Sequence, residues 1–376
     1  MKKVIEKKLC TGCTACLNIC PKKAITLEKN EKGFKYPMID KTKCINCGLC
    51  QKKCPVLSTN KNDSINKCYI GFNRSDKERE SSSSGGIFSL IASEILNDNG
   101  IVIGAAFINN KLKHISIEEK SDLDKLKGSK YLQSDIGNIF EYIKKNIIKR
   151  KILFVGTPCQ VAGLKQIVKS NNLLCIDFIC HGVPSPKLFE RYIKYLEEKY
   201  NDKVLNYNFR DKKTGWSTYS NTIIFKNKQK SQSAYENSYM KIFLSDIALR
   251  ESCYNCNFKL GNKYSDITLG DFWGGQKFYP DMYDEKGVSA IIINTEKGDN
   301  IFEIIKKKLV YKDCALDEIL SGNSSLKQSS KFNDFNKRNL FFEDLNKINF
   351  DKLTRKYIKN NYLLKIKKII KKFMCK

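Results

Sequence analysis

Apolar positions along the chain change period from stretch to stretch, and their order already suggests an architecture. Ala24 to Leu27 and Phe34 to Met38 read as brief strands set between cysteine-rich loops. From Ile87 the apolar residues fall at helical spacing (Ile87, Phe88, Ile91, Ala92, Ile95, Leu96), and Ile101 to Phe107 then reads as a strand. A helix is expected from about Ile136 to Lys149. Lys151 to Val155 follows as a nearly unbroken apolar run, the pattern of a strand buried on both faces. Another helix should start after Gly156, and a second buried strand should run from Leu173 to Ile179, beyond a turn at Asn171 and Asn172. Strand, helix, strand at this spacing predicts a parallel pair whose C-terminal ends share one side, where open α/β sheets hold their ligands. Residues 204 to 226 read as further strands. Near the end of the chain, Ile358, Tyr362, Ile366, Ile369, Ile370 and Phe373 share one helical face, with Lys365, Lys367, Lys368, Lys371 and Lys372 on the others. Such a basic amphipathic helix either packs on its own domain or lies on an anionic membrane surface.

With 376 residues, 41% of them hydrophobic, the chain can bury a real core and hold two or three domains. No run of 18 apolar residues occurs, so no membrane-spanning helix is expected. The 68 Lys and Arg against 40 Asp and Glu give a formal charge of +28. An excess of that size raises nucleic acid or an acidic membrane as partners. Here the basic residues are spread along the chain with no nucleic-acid motif beside them, so a general compositional bias is the simpler account and no nucleic-acid partner is expected. A basic N-terminal segment should still attract acidic electron carriers in a salt-sensitive way.

The cysteines change the picture most. Cys10, Cys13, Cys16 and Cys20-Pro21, then Cys44, Cys47, Cys50 and Cys54-Pro55, repeat one pattern, C-x2-C-x2-C-x3-C-P, the ligand run of a two-cluster ferredoxin. Three closely spaced thiolates cap three irons of one cubane, and the fourth crosses to the other. Cys54 is therefore expected with Cys10, Cys13 and Cys16, and Cys20 with Cys44, Cys47 and Cys50. Zinc sites are usually built from two cysteine pairs rather than two runs of four followed by Pro. Thiols with cluster duty, and a start without an apolar signal core, point to the reducing cytoplasm, with peripheral contact to the inner face of the membrane if the terminal helix lies there.

Beyond the module, Cys159 and Cys180 lie just past the ends of the two buried strands, and Cys253-x2-Cys256 offers a pair. The pair alone is ambiguous among metal, disulfide and chance; with Cys159 and Cys180 it supplies four thiolates to one cubane. Cys175, in mid-strand, reads as a small buried hydrophobe, and Cys68, Cys314 and Cys375 as structural or incidental. Ser81 to Gly86 feeds a helix N-terminus, which suits an anion such as a cofactor phosphate or is a plain N-cap. His181 is either a ligand or proton carrier or a hydrogen-bonded turn residue. Arg210 and Trp216, around Asp211, either grip a substrate or pack.

In order along the chain, Ser83-Ser84-Gly85-Gly86, Gly128 to Tyr131, Gly156-Thr-Pro-Cys159-Gln160, Cys180-His-Gly-Val-Pro184, Phe209-Arg-Asp-Lys212, Cys253-x2-Cys256 and Gly270-Asp-Phe-Trp273 resemble the beta subunits of coenzyme F420 hydrogenase/dehydrogenase, and more closely the bacterial branch that carries a fused N-terminal ferredoxin and often belongs with surface-polysaccharide genes. The resemblance covers residues 1 to 330. Glu251 departs from it, standing where relatives often have Pro. It implies an iron–sulfur flavoprotein with FAD and a third 4Fe-4S cluster, in which Ser83, Ser84, Gly85, Gly86, Lys130, Tyr131 and Thr157 bind the flavin and Cys159, Cys180, Cys253 and Cys256 the cluster.

The fold class expected is α/β, α+β over the whole chain. A two-cluster ferredoxin-like module (residues 1–57) and a linker (58–67) precede two beta-subunit-type regions (68–170 and 171–335) with a partly parallel sheet, and a basic helical tail (336–376) follows. The function expected is an oxidoreductase in which electrons pass between the clusters and a flavin, which exchanges hydride with an F420-like or polysaccharide-biosynthesis substrate. Its partners would be an electron-donor or acceptor protein and that small molecule or sugar-linked substrate. The alternatives are an electron-transfer module serving a separate enzyme and a basic nucleic-acid-binding protein with structural clusters. Flavin content and salt-dependent DNA binding separate the three.

Overall fold

In a computed structural model, the described residues are 3–58, 67–260 and 264–358. The expected terminal helical face lies outside them, apart from Ile358. Each thiol loop of the N-terminal module runs into a short helix, Ala15–Ile19 (α1) and Leu49–Lys52 (α2), and between the loops Ile25–Lys29 (β1) pairs antiparallel with Lys35–Ile39 (β2).

The body of the protein follows with Lys67–Asn73 (β3), Asp76–Glu80 (α3), Ile87–Asn97 (α4), a hairpin of Ile101–Ile108 (β4) and Lys111–Ile117 (β5), Ile139–Asn146 (α5), Ile152–Val155 (β6), Pro158–Lys165 (α6) and Leu173–Phe178 (β7). A long excursion then carries Pro186–Tyr200 (α7), Val204–Asp211 (β8), Ser220–Phe225 (β9), Gln229–Ser233 (β10) and Ser238–Leu244 (α8) before the chain returns as Ile267–Asp271 (β11), Ser289–Ile293 (β12), Glu296–Ile305 (α9), Leu309–Asp313 (β13) and Leu316–Gly322 (α10). Phe335–Asp344 (α11) and Phe350–Tyr357 (α12) close the described chain.

One eight-stranded sheet runs β13-β3-β12-β11-β7-β6-β4-β5. Its centre, β11-β7-β6-β4, is parallel, as the strand-helix-strand spacing implies, and both flanks are antiparallel. Alternate residues of the same strands feed opposite faces. Val102, Leu153, Leu174 and Ile291 pack beneath α4 and α9. Ile101, Ile103, Ile152, Phe154 and Cys175 pack beneath α5 and α6. Burial on both faces explains why β6 and β7 read as unbroken apolar runs, and each fully buried Leu, Ile or Phe contributes about 1.5–3 kcal/mol. The excursion forms a second body, in which the antiparallel sheet β10-β9-β8 shares an aromatic core with α7, α8, α11 and α12.

The ferredoxin-like module is seated on both bodies. Its turn before β2 abuts the start of α7, where a Cβ on Gly33 would stand 2.7 Å from Lys187 Cβ. Its first thiol loop abuts α6, where a Cβ on Gly163 would stand 2.9 Å from Cys13 Cβ. Lys144 Nζ donates to Asn18 O at 2.8 Å and Gln133 Nε2 to Thr11 O at 3.1 Å.

Candidate functional site

Three groups of thiols emerge from this packing. The first is Cys10, Cys13, Cys16 and Cys54. Burial first, and then the neighbouring Cys10 and Cys54, push Cys16 up to about 12. Burial raises Cys54 as well, with Cys10 adding to it. The second group lines one small void of about 20 Å³, whose walls include Cys20, Cys44, Cys47 and Cys50. The fourth cysteine of each run therefore stands with the first three of the other. Gly12 and Gly48 sit at φ +72°, a left-handed turn that L side chains rarely adopt, and shape the two thiol loops.

The third group is drawn from distant segments. Cys159, Cys180, Cys253 and Cys256 line a void of about 30 Å³. The local sequence shows how Cys159 is aimed. Thr157 caps α6, Pro158 occupies the first helical position, and Gln160 Oε1 accepts from Thr157 N at 3.0 Å, a capping box that fixes Cys159 in the first helical turn just past the end of β6. Thr157 Oγ1 lies 3.1 Å from Cys159 Sγ. Cys253 N donates to Arg250 O at 2.9 Å, closing the turn that presents the C-x2-C pair. Burial pushes Cys159 up to about 12, with Cys256 and Cys253 adding repulsion, and raises Cys180 well above the ordinary thiol value. Thiols crowded in this way resist ionisation, and a bound metal centre, zinc or iron–sulfur, would favour the thiolates. Among the described residues no three His, Cys, Asp or Glu side chains are placed to hold one metal ion.

These groups are contiguous. Cys13 and Cys159 stand near enough for charge on one to raise the other, as do Cys16 and Cys50. The third group also shares walls with a cavity of about 470 Å³, because Thr157, Cys180, His181, Gly182 and Val183 line both.

The large cavity opens at the C-terminal ends of β4, β6, β7 and β11, where ligands of open α/β sheets lie. Its volume is within the range of about 300–1,000 Å³ typical of small-molecule and cofactor sites. Ser83, Ser84, Gly86, Lys130, Tyr131 and Thr157 all line it. Gly85 is not on that wall: its N–H donates to Ser289 Oγ at 2.9 Å, and a Cβ there would meet Gly71 O at 2.6 Å. Several polar groups singled out from sequence hold the loops together. Ser83 Oγ accepts from Ser129 N, Ser84 Oγ donates to Val288 O at 2.8 Å, and Lys130 Nζ donates to the carbonyls of Leu126, Lys127 and Gly128. Burial brings Lys130 down to about 7.

What remains to meet a ligand is the start of α4, whose N-cap, Gly86, sits at φ +79° and brings no side chain to its orphaned N–H groups. Across from it Arg210 is buried, with Nη2 donating to Asp271 Oδ1 at 3.2 Å and Ser83 O at 3.1 Å, and its Nε has no partner. Its cation lies 4.0 Å from the ring centroid of Tyr219. Trp216, weighed with Arg210 in the sequence, packs instead: it stacks on Trp273 at 4.6 Å and donates to Asp271 at 2.8 Å. His181, left open by the sequence, and His114, which the sequence did not single out, join the walls. His181 Nε2 is 2.5 Å from Asp246 Oδ1. His114 stacks on Phe154, its Nε2 lies 3.0 Å from Val155 O, and burial brings it down to about 4, so it is neutral. No local pattern marks His114; only the β4–β5 hairpin places it. Glu251, the departure noted above, is held by buried Arg338 at 3.2 Å.

Residues 149–318 match the family model for the C terminus of the coenzyme F420 hydrogenase/dehydrogenase beta chain, and residues 9–57 match the 4Fe-4S dicluster domain. The F component of the F(420)H(2) dehydrogenase of Methanosarcina mazei is 22% identical over 332 residues, 81% of this chain and 85% of that protein. The coenzyme F420-dependent sulfite reductase of Methanocaldococcus jannaschii is 25% identical over 324 residues, 82% of this chain and 48% of that protein, so the chain spans about half its length. A chain of the F420-reducing NiFe hydrogenase complex from Methanosarcina barkeri superposes with a TM-score of 0.47 at 15% identity, covering 78% of this chain and 92% of that one. No helix among the described residues is long and apolar enough to cross a membrane.

Proposed function

We infer the function from the family this chain belongs to, that of the coenzyme F420 hydrogenase/dehydrogenase beta subunits, and propose that this iron–sulfur oxidoreductase passes electrons between three 4Fe-4S clusters and a flavin held in the 470 Å³ cavity. The observation that carries the reading is contiguity: the second thiol group neighbours the first, the first neighbours the third, and the third shares its wall with the cavity.

Cys10, Cys13, Cys16 and Cys54 would hold one cluster, Cys20, Cys44, Cys47 and Cys50 another, and Cys159, Cys180, Cys253 and Cys256 the third. A bound flavin supplies the exchange between one-electron traffic and hydride chemistry. The N-terminus of α4 and the guanidinium of Arg210 are fit to receive its anionic groups, as helix starts and arginine forks do. Leu112, Leu126, Leu132 and Phe243 give the same cavity apolar walls that exclude water from a ring. His181 Nε2, held by Asp246 at the shared wall, is placed to keep or deliver a proton there. Relatives named for coenzyme F420 support an F420-like hydride partner over a sugar-linked one.

The test is to compare the full chain with Cys159→Ser under rapid mixing with a one-electron donor. In the native chain flavin bleaching should follow cluster reduction. In the variant, with flavin retained, it should slow at least tenfold. Equal rates would refute the route.

A further inference from the structure

Arg250 is one of the largest fully buried side chains in the protein, 1% exposed, and among the described residues it forms no salt bridge. Its guanidinium donates instead to neutral groups and to a thiol. Nε reaches Cys10 O at 2.6 Å, Nη1 reaches Gln133 Oε1 at 3.1 Å, and Nη2 reaches both Lys35 O at 2.9 Å and Cys10 Sγ at 3.7 Å. The aromatic faces of Tyr36 and Phe34 lie 4.4 and 5.4 Å from its centre. The nearest carboxylate in sequence, Glu251, is engaged by Arg338 and Lys32.

A buried cation without a counter-ion is costly enough that native proteins rarely keep one. Carbonyls and rings satisfy its donors but leave its charge. The group that can supply the opposite charge is the one Nη2 touches: four thiolates around an iron–sulfur core leave a cluster net negative, and one electron more makes it more so. The backbone of Arg250 is tied into the third thiol group as well. Its N–H donates to Val183 O at 2.9 Å, three residues past Cys180, and its carbonyl accepts from Cys253 N.

We propose that Arg250 is the counter-charge of the cluster held by Cys10, Cys13, Cys16 and Cys54, and that it sets this cluster at a higher potential than the distal cluster of Cys20, Cys44, Cys47 and Cys50. The inference rests on the cluster ligation proposed above. Because each cluster gains negative charge on reduction, a fixed cation at its sulfur favours the reduced form, and a hydrogen bond to the sulfur acts in the same direction. Arg250 is thus a positioning residue that sets a downhill step from the surface cluster to the cluster at Cys10.

Redox titration of the full chain, followed by electron paramagnetic resonance, tests this in wild type, Arg250→Met and Arg250→Lys. With iron and sulfide unchanged, Met should shift the midpoint potential of the cluster at Cys10 to a more negative value and leave that of the distal cluster, an internal control, in place. Lys, which keeps the charge, should restore most of the shift. Unchanged potentials in Arg250→Met, or an equal shift of all three, would overturn the proposal. If Met cannot be loaded, wild-type protein grown with [15N]arginine still decides. Electron–nuclear double resonance should show 15N coupling on one reduced cluster, and its absence would overturn the proposal. A wild-type chain without iron would instead refute the cluster assignment itself.

Discussion

Gly163→Ala is an informative perturbation because its sign depends on where the ferredoxin-like module sits. Gly163 lies within α6, and in an open helix the change to Ala stabilises by about 1 kcal/mol. Here the new methyl would stand 2.9 Å from Cys13 Cβ, 3.0 Å from its Sγ and 3.3 Å from its carbonyl oxygen. Carbon atoms rest at about 3.5–4.0 Å, so the Cys13 loop must retreat by roughly half an ångström or more. Overpacking of this kind costs about 1–3 kcal/mol. The balance is a loss of up to about 2 kcal/mol, concentrated at the contact between α6 and the first thiol loop. Denaturant unfolding should show the loss, and the spin–spin coupling between the clusters at Cys13 and Cys159 should weaken while the cluster at Cys44 is unchanged. A variant more stable by about 1 kcal/mol, with coupling intact, would show that module and body do not meet as described.

Other substitutions probe the remaining contacts. Cys54→Ala should damage the cluster of Cys10, Cys13 and Cys16, and Cys20→Ala the cluster of Cys44, Cys47 and Cys50; site-resolved spectroscopy with the opposite assignment would contradict the crossing. Gly86→Asp should abolish flavin retention by placing a carboxylate at the start of α4, whereas Gly85→Ala should instead destabilise the fold, since its Cβ meets Gly71 O at 2.6 Å. Equal flavin content in Gly86→Asp and wild type would remove that loop from the site. His114 makes stability pH-dependent: its folded value is near 4 against about 6.5 unfolded, so the stability it contributes is present above pH 6.5 and is lost as pH falls toward 4, by about 3 kcal/mol. Melts at pH 7 and 4.5 should differ by less in His114→Phe than in wild type, and the same difference in both would show that His114 is not buried neutral.

The parts of this design that were legible in sequence are local. Eight cysteines in two runs fix the crossing, because the loop between adjacent ligands is too short for any other arrangement. A buried strand running into Gly156 and a further helix sets Cys159 just past the strand end, and the capping box that aims it appears in the structure. The parallel pair β6-β7 follows from two apolar runs and one intervening helix. What could not be read depends on contacts far apart in the chain. The antiparallel flank β12-β3-β13 is made of short strands whose pairing is set by the sheet they join. Cys180 and Cys253 are separated by the whole excursion from α7 to α8. Ser83, Ser84 and Lys130 were singled out as flavin residues by resemblance, and the hydrogen bonds that hold them at the cavity wall depend on neighbouring loops. Arg250, whose partners come from residues 10, 35 and 133, has no signature of its own.

The central claim is that twelve cysteines and one cavity form a single electron path, and composition tests it most directly. The full chain, purified without oxygen, should contain about twelve irons, about twelve sulfides and about one flavin, as three cubanes and one flavin site require. Replacing Cys159 or Cys256 should remove about four irons, and replacing Cys175, buried beneath α6, should remove none. A native chain with about eight irons and no flavin, or with zinc at the third site, would contradict the account.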